Sequence, residues 1–123
     1  AKKIANNKWE VYVDNGREPT GKDVLEWAKE VESLGAGEIM ITSIDKEGTK
    51  RGYDLELNNL ISELVSIPII SSGGAGSKEH ISCVIKNTNI DAVSIASVFH
   101  YNIETVDSLK KYLINEEKIH IRL

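Results

Sequence analysis

Apolar and polar positions along this chain switch between two periods, and the switching predicts its elements. At residues 9–13, "WEVYV" alternates apolar and polar at every step, the period of a strand with one buried face. It runs into "DNGREPTG", where Asn15-Gly16 and Pro19 mark a turn and a loop. Over residues 22–34 the period lengthens: Val24, Leu25, Trp27, Ala28, Val31 and Leu34 recur at helical spacing, and Gly35 supplies the stop. "EIMITSI" at 38–44 is almost continuously apolar and predicts a buried strand, followed by the polar loop "DKEGTKRGYD". Residues 55–65 predict a second helix with Leu57, Leu60, Ile61, Leu64 and Val65 on its inner face. A strand at "IPII" (67–70), a helix over 78–86, a strand at "DAVSIA" (91–96) and a helix over 105–115 complete the series.

Strands this apolar, separated by helices, read as a parallel sheet covered on its faces, so the class is α/β. About four such strands are expected, and right-handed crossovers join them into one layer. The candidates are a small doubly wound sheet and part of a (β/α)8 barrel. No linker or low-complexity stretch divides the chain, which reads as a single domain over 1–123.

Composition narrows the function classes. The acidic excess, 19 carboxylates against 15 basic residues, is interspersed, and no basic stripe points to nucleic acid. No apolar run approaches the roughly 18 residues of a membrane span, and the amino terminus lacks the pattern of a signal peptide. A cytoplasmic protein is the expectation. Cys83 stands beside Ile81 and Val84 in "HISCVIK", which predicts an inert core thiol. His80, His100 and His120 are too dispersed for a metal site, and Trp9 and Trp27 read as packing residues. Neither metal nor cofactor is expected.

In either architecture ligands bind beyond the carboxyl ends of the strands. The loops there read Asp45-Lys46-Glu47-Gly48-Thr49-Lys50, then Ser71-Ser72-Gly73-Gly74-Ala75-Gly76, then Ser97-Val98-Phe99-His100. Glycines between a strand and a helix let backbone amides approach an oxyanion, and the helix amino terminus adds a favourable dipole. A phosphate is the ligand this suggests; a tight turn is the plain alternative. A dinucleotide fingerprint fails because Glu79 stands where its last glycine belongs. "ASVFH" offers a short extra helical turn of the kind that helps hold phosphate in barrels. Asp45 suits an acid, a base or a hydroxyl acceptor, and equally a solvated loop.

Taken in order, "GAGEIMITSIDKEGTKRGYD", "SIPIISSGGAGSKEH" and "DAVSIASVFH" closely resemble the cyclase subunit of imidazole glycerol phosphate synthase. The resemblance implies the carboxyl-terminal half of a (β/α)8 barrel about twice this length, with one phosphate site in each half. It implies that Gly48, Gly74, Ala96 and Ser97 contact one phosphate of a bisphosphorylated ribulosyl substrate, that Thr42 and Ser72 line the pocket, and that Asp45 is a pocket carboxylate. Glu38, at the opposite end of its strand, matches one member of a charged gate admitting ammonia from a glutaminase partner. The implied products are imidazole glycerol phosphate and an aminoimidazole carboxamide ribotide, in histidine biosynthesis.

The family's catalytic aspartates lie at the ends of its first and fifth strands, the latter falling immediately before Ala1, so no catalytic residue is expected in this chain and none of the cyclase activity. Glu47 departs from the family's commoner aspartate, which keeps open a paralogue feeding ammonia to sugar amidation. A half-length phosphate-binding module is a further alternative. A half-barrel is also expected to self-associate through an apolar inner face including Met40, Ile69 and Val93.

Overall fold

The alternation at residues 9–13 does build a strand, but its partners are antiparallel. In the computed structural model, which describes residues 1–121, β1 (Lys2–Ala5), β2 (Lys8–Val13) and β3 (Glu18–Asp23) form a three-stranded antiparallel sheet in that order. This corrects the expectation of about four parallel strands. A strand with strict alternation has only one face to bury, and antiparallel sheets tolerate that. The turn between β2 and β3 holds Asp14, Asn15 and Gly16 at φ of 48°, 54° and 83°, a left-handed run that Asn-Gly permits.

The parallel sheet is made by β4 (Ile39–Thr42), β5 (Ile69–Ser72) and β6 (Ala92–Val93), in sequence order. Helices α1 (Val24–Ser33), α2 (Leu55–Leu64) and α3 (Lys78–Asn87) alternate with its strands, followed by the short α4 (Ser97–His100) and α5 (Val106–Lys111). The last helical stretch is divided: after α5 the backbone continues as a π-turn over Tyr112–Glu116. Gly35 ends α1 at φ +96°, with the Ala36 amide donating to Val31 O at 3.1 Å. Residue 1 extends the sheet at the outer edge of β4, its amino group donating to Thr42 O and its carbonyl accepting from the Ile44 amide, both at 2.8 Å. That pattern is parallel.

Register assigns the faces. Ile39 pairs with Ile69 and Met40 with Ile70, while Ile70 pairs with Ala92 and Ser71 with Val93. Ile39, Ile41 and Ile69 pack with Trp9, Val24, Ala28, Leu57 and Ile61, and Val93 packs with Tyr53, Ile81, Val84, Val98 and Leu109. Those residues therefore face the helices. Met40, Ile70 and Ala92 occupy the other face, where Met40 is 55 % exposed. Ile69 and Val93 are thus not inner-face residues as the sequence suggested, because strand periodicity puts them one step out of phase with Met40. Cys83 is likewise corrected: it is exposed, since its helical position lies off the line of Ile81 and Val84 that α3 buries.

A candidate anion cleft at the strand ends

Three strand ends deliver their loops to one small cleft of about 50 Å3. The loop after β4 brings Glu47 and Gly48; the loop after β5 brings Gly73, Gly74 and Ala75 beside Ser72; the segment after β6 brings Ser94, Ala96 and Ser97. Gly48, Ser72, Gly74, Ala96 and Ser97, which the resemblance assigns together to one phosphate pocket, all line this cleft. The loop hydrogen bonds leave the amides of Gly48 and Gly74 without a backbone acceptor among the described residues. Gly48 sits at φ +71° with open space where a Cβ would be. The first amides of α4 likewise have no intrahelical acceptor. Small residues, free amides and hydroxyls make a lining suited to an oxyanion.

The glycines also do something the sequence did not disclose. A Cβ on Gly74 would fall 2.1 Å from Gly52 O, and one on Gly76 would fall 2.2 Å from Lys50 O. The Gly52 amide donates to Gly74 O at 2.8 Å. The loops after β4 and β5 are thus seated directly on one another, and the tight-turn reading of the cluster accounts for part of it. His80 supports the junction from below, accepting from the Gly76 amide through Nδ1 at 3.3 Å with its ring against Gly52.

Other predicted residues lie apart. Asp45 is exposed in a separate groove with Lys3, Lys46 and Tyr53, and its Oδ2 accepts from the Lys3 amide at 2.7 Å. Thr42 ends β4 beside Ser72 in register, and its carbonyl is taken by Ala1. Glu38 precedes β4, at the opposite end of that strand from the cleft, and lines a groove of about 450 Å3 with Trp27, Val31 and Met40. Four contributors were not foreseen as site residues: Gly73 and Ala75, whose motif was read as a whole, Ser94, which strand alternation would have placed, and Glu47, noted only as a departure.

The support beneath the cleft is polar and hydrogen-bonded at Asp54 and Tyr53, while the buried Ser71 Oγ and Asn58 Oδ1 have no partner among the described residues. Asp54, buried, caps α2 by accepting from the Leu57 amide and also accepts from Trp9 Nε1 and Ser43 Oγ, each at 3.2 Å. Tyr53 donates its hydroxyl to Ser94 O at 3.0 Å. Burial, and secondarily the Glu47 charge, hold that phenol above its ordinary pKa, so it remains a donor.

A family model described as "Histidine biosynthesis protein" matches residues 1–105. The chain belongs to the histidine biosynthesis protein family. Within that family it is 51 % identical over 123 residues to the imidazole glycerol phosphate synthase subunit HisF of Hydrogenobaculum sp. (strain Y04AAS1), covering all of this chain and 48 % of that protein. The same subunit of Bacillus cereus is 51 % identical in strain G9842 and 50 % identical in strain ATCC 10987 / NRS 248, with the same coverage. The chain spans about half the length of the curated relatives it matches. As a member of this family it carries parallel βα units that make half of a (β/α)8 barrel.

Proposed function

We propose that this chain is the carboxyl-terminal half of a cyclase barrel of imidazole glycerol phosphate synthase, and that its cleft holds one phosphate of the bisphosphorylated ribulosyl substrate. The observation that carries the reading is the convergence of Gly48, Ser72, Gly74, Ala96 and Ser97 on one cleft, in a chain about 50 % identical throughout to half of that enzyme's subunit. Backbone amides bind a phosphate without a counter-charge by directing partial positive charge at its oxygens. Anchoring the substrate there holds its reacting end at a fixed distance, which is the contribution of remote binding to catalysis.

In this reading the proton transfers belong to aspartates outside these 123 residues. Ammonia from a glutaminase partner enters past Glu38, at the far end of β4, and attacks the ribulosyl intermediate bound above the strand ends. Cleavage and ring closure then yield imidazole glycerol phosphate and the aminoimidazole carboxamide ribotide. Titration of the chain with inorganic phosphate, followed by amide shifts, tests the anchoring step. Gly48 and Ser97 shift if the reading holds; saturable binding that leaves both unmoved overturns it.

The same reading gives the bare sheet face an occupant. Met40, Ile70 and Ala92 line the side away from the helices, and in isolation a second copy of the chain covers it, since exposed apolar area of this kind drives association.

A further inference from the structure

Of the residues lining the cleft, Glu47 is the charged one. Its Oε2 lies 3.2 Å from the point a Cβ on Gly73 would occupy, and its amide donates to Ser43 O at 2.9 Å, which fixes the loop that carries it. Neighbouring cations are engaged elsewhere. Lys50 Nζ stands 3.5 Å from the centre of the Tyr101 ring, Lys78 Nζ stands over Tyr112, and Lys46 lines the groove on the other side with Asp45 and Lys3. Tyr53 is committed to Ser94 and His80 to Gly76, and neither Arg51 on the loop after β4 nor His100 on α4 forms an ion pair with Glu47.

A dianionic phosphate in such a cleft meets a carboxylate with no cation beside it. Like charges at contact repel. A phosphate monoester that keeps one proton removes one charge and offers a P–OH, which donates to the carboxylate in a short charge-assisted hydrogen bond. Sulfate has no proton to offer at neutral pH. We propose that Glu47 makes the cleft selective for the monoanionic, protonated phosphate monoester over its dianion and over sulfate. This rests on the phosphate reading above and names the protonation state that the cleft takes.

The second ionisation of a phosphate monoester lies near pH ~6. Above it, binding in this form takes up one proton from solvent, so Kd rises about tenfold per pH unit. Calorimetry of the 123-residue chain with methyl phosphate and with sulfate, between pH 6.5 and 8, reads this directly, and the Gly48 and Ser97 amides report where each anion sits. The expected result is a steep rise in Kd for methyl phosphate and no sulfate binding at these amides. In Glu47→Gln the side-chain amide donates to any oxyanion, so the pH slope flattens and sulfate binds. Glu47→Asp keeps the carboxylate and the selectivity, and remains informative should the glutamine variant fold poorly. Equal binding of both anions to the parent chain with a flat pH profile overturns the inference and leaves the phosphate cleft standing. Absence of any shift at Gly48 and Ser97, with either anion and in every variant, removes the cleft reading and this inference with it.

Discussion

Gly48 and Gly74 share a left-handed backbone but not a neighbourhood. An alanine at 48 meets no atom and pays only for its φ of +71°, a destabilisation of about 1–2 kcal/mol. At 74 the added methyl strikes Gly52 O, and strain plus overpacking brings the loss to about 2–5 kcal/mol. Urea midpoints of the two variants separate these outcomes; equal losses would mean that the loops are not in contact. Replacing Asp54 with alanine leaves Trp9 Nε1 and Ser43 Oγ unpaired and uncaps α2. A loss of about 2–4 kcal/mol in the same measurement is expected.

Elements are joined by few but specific contacts. Trp9, 1 % exposed, is the anchor by which the antiparallel sheet packs on α1 and α2. Trp9→Ala is expected to cost about 3–5 kcal/mol and to loosen that sheet first, visible as early loss of amide protection in β2. Glu32 on α1 accepts from both the hydroxyl and the amide of Ser66, at 2.6 and 2.7 Å. The Ser66 hydroxyl first, then its amide, hold the Glu32 carboxyl below its ordinary 4.5. A carboxyl whose pKa is lower folded than unfolded stabilises fully above the unfolded value and progressively less as pH falls through the folded one. The stability gap between the parent chain and Glu32→Gln should therefore be open at pH 7 and narrow below about pH 4.5. A gap unchanged down to pH 3 would show that Ser66 is not its partner. These elements were legible to different depths. Helical periodicity located α1 to α3, and apolar runs located β4 and β5, because each reports burial along one segment. β1 and β3 went unseen, since "KKIA" and "EPTGKD" carry no apolar alternation and are held by pairing with β2. The cleft residues were legible as a motif, whereas the seating of Gly74 and Gly76 on Gly52 and Lys50 joins segments distant in sequence and leaves no local period.

At the scale of the molecule the sheet has one covered and one bare face. If the bare face pairs with a second copy, sedimentation at micromolar concentration gives a concentration-dependent dimer, and Met40→Lys shifts it towards monomer by placing a charge among Ile70 and Ala92. A monomer at every concentration would leave that face without the proposed occupant. The seating of one glycine loop on the other has a consequence for breathing motions. With Gly52 bonded to Gly74 and carbonyls pressed against Gly74 and Gly76, neither loop can swing without the other, so the cleft opens only as a unit. The Gly52 amide should then exchange with deuterium on the slow schedule of β5 rather than at the fast rate of a surface loop, and an anion entering the cleft meets walls already set in place.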